Sequence, residues 1–200
     1  MQAIHSISQK LCVSTMFAFA LSATAGAAAS GGLSGGPVVT RQVAEVGSNI
    51  AWGEAQAELG RPLGSILPVL ADYAAYEKFM PNFRRSRVLA QRGPRARVYM
   101  EVSAAAGALT LWGQLDLQER MEVPGRARVI EARLLEGNIG AFRAEWRLEP
   151  TADGTRTQVA FRIFVDPDLP LPSSLISREN ERAARRSIEA LRTHLEGELP

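Results

Sequence analysis

Apolar and polar residues alternate along most of this chain from residue 50 to residue 165, and the alternation is broken at regular intervals by turn residues. Residues 50–59 (IAWGEAQAEL) read as a first strand. Six more runs follow, at 83–91, 95–104, 109–121, 126–136, 141–149 and 155–165. They are separated by RGP, AAG, VPG, GNIG and PTADG, each with Gly and most with Pro or Asn, as tight turns require. Connections of hairpin length make the six runs a continuous antiparallel meander. Each run carries one apolar face. Examples are Val98, Met100 and Val102; Leu109, Leu111, Leu115 and Leu117; Phe142, Ala144, Trp146 and Leu148; and Val159, Phe161, Ile163 and Val165.

Two stretches change period. RPLGSILPVLADYAAYEKFMP (61–81) spaces Leu70, Tyr73, Tyr76 and Met80 by three and four, so it reads as helical, in two pieces, with Pro68 in a first turn and Pro81 ending the run. From Ser173 to about Glu196 the pattern predicts one long amphipathic helix. Ile176, Asn180, Ala184, Ser187, Leu191 and Leu195 form one side, and Arg178, Arg182, Arg185 and Arg192 another. The order strand, helices, six strands, long helix predicts an α+β fold with a seven-stranded antiparallel sheet. Such a sheet twists and curls. One helix does not fill its concavity, which leaves room for an apolar pocket.

The first 48 residues lie outside this pattern. Residues 1–25 have the layout of a secretory signal peptide: Lys10 in a positive leading segment, an apolar run from Leu11, and A-x-A cleavage signatures at Ala23–Ala25 and Ala27–Ala29. The apolar run is too short and too rich in Ala, Ser and Thr for a membrane span. No Cys follows the cleavage site, so a lipid anchor is not expected. Residues 26–48, with SGGLSGGP, read as a flexible leader, and the domain proper as 49–197. The expected location is therefore periplasmic or extracellular.

Cleavage after Ala25 removes Lys10, Cys12 and His5, leaving no Cys, a single histidine (His194) and a formal charge of +1 in place of +2. That excludes disulfides and thiolate chemistry and, with one histidine left, argues strongly against a His-based metal site or a Ser-His-Asp triad. No cofactor or metal is expected.

The stretch VLADYAAYEKFMPNFRRSRVL (69–89) concentrates Tyr73, Tyr76, Phe79, Met80 and Phe83 in a chain that is only 6% aromatic. It resembles the signature segment of the START-like polyketide cyclase and coenzyme Q-binding superfamily, through Val69, Leu70, Asp72, Tyr73, Tyr76, Phe79, Met80, Pro81, Ser86, Val88 and Leu89. The resemblance implies a helix-grip fold, a curved sheet gripping the C-terminal helix around a deep apolar cavity, with two short helices after the first strand closing one end. Tyr76, Phe79 and Met80 would then be lid and wall. With Met100, Leu111, Phe142, Trp146, Phe161 and Ile163 from the strands, and Asn180, Ala184 and Leu191 from the helix, they make up the expected ligand-binding set.

The function expected from this is binding of a hydrophobic small molecule (lipid, quinone or isoprenoid), with carriage between membranes as its use. Two alternatives stand beside it: a polyketide cyclase or aromatase-like enzyme, and an envelope protein whose cavity its own side chains fill. Asp72, Tyr73 and Glu77 are the acid–base groups nearest the lid, but none stands out as a tuned catalyst, and Asp72 reads as a helix cap. Trp112 lies opposite Leu111 and should face away from the cavity. Asn180, an amide in an apolar stripe, either orients a ligand or bonds a strand carbonyl. Between Phe83 and Arg97 lie six arginines and no acid. Arg84, Arg85 and Arg87, with Arg182 and Arg185 on the helix, would give peripheral contact with an anionic membrane surface; the alternative is a charge-guarded strand pair. Nucleic acid is not an expected partner.

Overall fold

The computed structural model describes residues 35–104, 107–123 and 127–197. The chain divides into two units, Met1–Gly32 and Leu33–Pro200. All described residues belong to the second. The expected signal segment and the first part of the leader lie outside the described residues.

One antiparallel sheet of eight strands carries the fold. Its strands are β1 (Val39–Val43), β2 (Trp52–Leu59), β3 (Phe83–Arg92), β4 (Arg95–Ala104), β5 (Leu109–Val123), β6 (Ala127–Gly137), β7 (Ala141–Pro150) and β8 (Thr157–Asp166). The spatial order is β1-β2-β8-β7-β6-β5-β4-β3. The meander from β3 to β8 follows the sequence, and β2 closes onto the far side of β8. The fold class holds, but the sheet has one strand more than expected. Val39–Val43, inside the stretch read as leader, pairs with β2 from Val39↔Gln56 to Val43↔Trp52. Its pattern is too short and too polar to signal a strand. It is held by distant groups instead: Thr40 Oγ1 and Gln42 Nε2 both donate to the Glu181 carboxylate, at 2.8 and 2.9 Å.

The helical run 61–81 splits into three pieces rather than two. They are α1 (Leu63–Ala71), a 3₁₀ turn (Tyr73–Ala75) and α2 (Tyr76–Phe79). Pro68 sits inside α1 and not in a first turn. Asp72 stands at the cap position between α1 and the 3₁₀ turn, as expected, but closes α1 through its backbone N–H on Pro68 O at 3.0 Å rather than through its carboxylate.

The long helix α3 (Ser173–Gly197) packs over β1, β2 and β8 and touches α2. Its buried stripe is Ile176, Ser177, Asn180, Ala184, Ile188, Leu191 and Leu195, so Ile188 stands where Ser187 was expected. Gly53 sets how close the helix comes. A Cβ there would lie 2.0 Å from the Asn180 backbone carbon, so only glycine lets helix and strand meet. Ala55, fully buried, and Ala57 continue this small-residue floor.

A candidate apolar site in the grip of sheet and helices

Strand register lines up the inward side chains in rows across the sheet. One row runs Ala96–Leu117–Ala132–Ala144–Ile163–Gly53. The next runs Glu119–Ile130–Trp146–Phe161–Ala55. Helix α3 covers the β2–β8 side, while α1, the 3₁₀ turn and α2 approach from β3 and β7. The expected site residues fall into two groups. Tyr76, Met80, Met100, Trp146, Phe161, Ala184 and Leu191 are buried together in one continuous core. Phe79, Phe142 and Ile163 pack against that core but keep part of their surface in solvent, and Leu111 is likewise half-buried, outside the core cluster. The first group is the closed floor of the concavity; the second, with Phe83 and Ala144, is its rim.

Aromatic rings join floor to lid. Trp146 stacks on Phe161 at 4.1 Å between centroids. Tyr76 stands at the centre of a ring cluster, edge-on to Tyr73, Phe79 and Phe83 at 5.9, 5.6 and 5.8 Å. Phe79 in turn stacks face to face on His194 of α3, 4.5 Å away and 11° from parallel. That stack ties α2 to the last turns of α3. Trp112 lies on the outer face beside Tyr99, as alternation predicted.

Residues 59–192 match the family model described as polyketide cyclase / dehydrase and lipid transport. The chain belongs to that family. The match starts at the end of β2 and runs into the last turns of α3, so it takes in the lid, the meander and most of the helix. No curated protein matches. Among solved structures the chain is similar to a STAR-related lipid transfer protein fragment from Xanthomonas axonopodis, at 20% identity and TM-score 0.70, covering 80% of this chain and 93% of that one. A START superfamily protein from Mycobacterium smegmatis is 16% identical, TM-score 0.60, with 73% and 97% covered. The Zhui aromatase/cyclase from a Streptomyces species is 22% identical, TM-score 0.57, with 74% and 92% covered. These likenesses establish the helix-grip fold.

In this family member the polar groups near the grip are few, and most are engaged. Tyr76 Oη donates to Leu70 O at 2.7 Å, and burial pushes its phenol strongly upward, with the Tyr73 and Asp72 charges adding to the shift. Burial and then the charge of Glu119 push Tyr73 up to about 12. Glu119, on the inward row of β5, pairs with Arg128 at 3.2 Å. Ser86 Oγ donates to Tyr73 O at 2.6 Å and stitches the lid to β3. Asn180 bonds strand carbonyls, one of the two roles expected of it: its Nδ2 donates to Ala51 O at 3.0 Å and Val165 O at 3.4 Å. Beside it Ser177 Oγ accepts from Ala51 N–H at 2.9 Å and donates to Ser173 O at 2.7 Å. The sequence reading passed over Ser177. Its signal was a second polar residue three before Asn180 on the inward stripe.

The hollows bordering α3 lie outside the concavity. One of about 10 Å³, water-sized, is lined by Gly35, Leu59, Arg61, Arg192 and Leu195. A surface groove of about 220 Å³ is lined by Thr40, Arg178, Glu181, Arg182 and Arg185. The arginines expected to share a membrane surface therefore fall on two elements. Arg84, Arg85 and Arg87 lie on β3, the last strand, and Arg182 and Arg185 on α3, which rests on the other end of the sheet.

Proposed function

We propose that this domain binds a hydrophobic small molecule, of lipid, quinone or isoprenoid class, in the concave face of its sheet. We further propose that it acts after export as a carrier in the periplasm or outside the cell. The observation that carries the binding reading is the half-buried apolar rim, Phe79, Phe142, Ile163 and Leu111, leading onto a floor built almost wholly of apolar side chains. Removing a ligand CH₂ from water against such a surface contributes about 0.8 kcal/mol. The family's lipid-transport description and the signal-peptide layout support carriage and export.

In this conformation the floor is closed by Trp146, Phe161, Leu148 and Ile188, all at most 5% exposed. A ligand must therefore displace side chains as it enters. The lid is the element that yields. Helix α3 is pinned at Ser177, Asn180 and Arg192, the last through Nη2 to Gly36 O at 2.7 Å. By contrast α2 is one turn long, is joined to α3 by the Phe79–His194 stack, and with the 3₁₀ turn is tied to β3 only through Ser86, at Tyr73 O and the Glu77 carboxylate, among the side-chain hydrogen bonds of the described residues.

The cyclase reading has less behind it. A general acid–base group needs a proton affinity near the working pH. The two phenols beside the floor are both shifted away from it, and Glu119 is held in an ion pair. Contact with an anionic membrane is proposed for Arg182 and Arg185 on the flank of α3.

Native mass spectrometry of the protein purified from its own envelope fraction, before and after organic extraction, tests the binding reading. A discrete extra mass that disappears on extraction is expected. A bare protein mass, unshifted against a panel of quinones, isoprenoids and lipids, would sink it.

A further inference from the structure

Strand β3 ends the sheet, and its outer edge pairs with no other strand among the described residues. Eight of its ten residues are exposed. Only its first half is covered. There Ser86 Oγ reaches Tyr73 O, and the Ser86 N–H points away from β4 to Glu77 Oε2 at 3.4 Å. Hydrogen-bonding groups alternate sides along a strand, so the N–H and C=O of Val88 face the same free edge. From Arg87 to Arg92 no described residue covers this edge.

Its side chains have a definite pattern. Register with β4 sets Arg85 opposite Glu101, Arg87 opposite Tyr99, Ala90 opposite Arg97 and Arg92 opposite Arg95, all on the outer face. The inner face of the same pair carries Ser86 opposite Met100 and Val88 opposite Val98. The outer face therefore gathers five arginines at the rim of the sheet. Arg85 alone of them has an acidic partner, Glu101 at 3.3 Å, and Arg87, Arg92 and Arg97 form no ion pair among the described residues. Next to this charge, Val88 is 38% and Leu89 49% exposed.

We infer that the free edge of β3 is a docking site for an extended segment of a partner protein that carries acidic residues on one face and apolar residues on the other. Such a segment adds a ninth strand. Its acidic side chains meet Arg87 and Arg92 as cross-strand neighbours. Its apolar side chains meet Val88 and cover Leu89, and its backbone satisfies the open edge.

A second copy of this chain does not fit, because antiparallel self-pairing about the middle of the open stretch Arg87–Arg92 would set Arg87 against Arg92. An anionic membrane fits less well: lipid headgroups offer no ladder of donors and acceptors, and the open backbone would stay unpaired. Arginine and the two bulges, near Arg84 and Leu89, would also serve merely to repel other strands. An edge built only for that purpose would not expose Val and Leu at its centre.

The test uses the full exported chain and fluorescence anisotropy of a labelled, acetylated peptide of about eight residues alternating Glu and Val, a typical strand length. A block peptide of the same composition, with all Glu before all Val, is the comparison. Anionic vesicles of phosphatidylglycerol and phosphatidylcholine are the third probe. The alternating peptide should bind at least about tenfold more tightly than the block peptide, and more weakly at high salt. Val88→Pro, which removes an edge donor without touching the β4 ladder, should weaken it by a similar factor. Arg87→Glu with Arg92→Glu should abolish it. Circular dichroism melts of both variants should match the parent. Equal binding of the two peptides, indifference to Val88→Pro, capture by vesicles alone, or no binding at all would each overturn the inference.

Discussion

Replacing Asn180 with Ala separates a ligand-binding role from a structural one. In the structure the Asn180 side chain is 3% exposed and spends its amide nitrogen on two backbone carbonyls, Ala51 at 3.0 Å and Val165 at 3.4 Å. The first bond has ordinary geometry and the second is long. Losing both, with the carbonyls left partly desolvated, is expected to destabilise the domain by about 2 kcal/mol. For a chain of this size that is roughly 3 °C per kcal/mol, so a thermal midpoint about 6 °C lower by circular dichroism. Asn180→Asp should be worse at neutral pH, because it aims a carboxylate at two carbonyl oxygens. Part of that loss should return in acid, where the protonated side chain donates again. Ligand occupancy per folded molecule, read by native mass spectrometry, should be unchanged in Asn180→Ala. A variant that melts with the parent but loses its co-purifying mass would show that Asn180 holds the ligand and that this assignment of its role is wrong.

Three more outcomes follow from the packing. Gly53→Ala forces a methyl group into the α3 backbone and should lower stability by about 3 kcal/mol or more, seen as a melting shift of about 9 °C; a neutral result would mean that the helix does not sit on this strand. Trp146→Ala removes a ring that is 5% exposed and stacked on Phe161, at an expected loss of about 3–5 kcal/mol by denaturant unfolding. Tyr73 and Tyr76 have folded pKa values raised above the unfolded one, so their contribution is fully present below the unfolded phenol range near 10. It is lost as pH rises from there through about 12, where Tyr73 titrates. Phenolate absorbance should thus appear for Tyr73 only near pH 12 and for Tyr76 only together with the loss of secondary structure; ionisation of all three tyrosines in the intact fold at pH 10 would contradict this.

Much of this architecture is legible in the chain itself because it depends on local periodicity. Seven of the strands, β2 to β8, and helix α3 come within two residues of the runs expected from alternation and helical spacing. Neighbours in a meander need only short turns to find each other. The aromatic cluster of the lid was visible as a composition anomaly, and its burial follows from spacing of three and four. What the chain could not show by itself depends on groups far apart in sequence. β1 forms because Glu181, some 140 residues away, holds Thr40 and Gln42. Asn180 pins the helix because β2 and β8 bring Ala51 O and Val165 O to its amide. Gly53 is small because the helix crosses there. Whether a curved sheet holds an open cavity or a closed floor is settled by how side chains from β7, β8 and α3 meet. Trp146 stacked on Phe161, buried in one cluster with Ile188 and Leu148, closes it here, and no one-dimensional pattern of polar and apolar residues encodes that meeting.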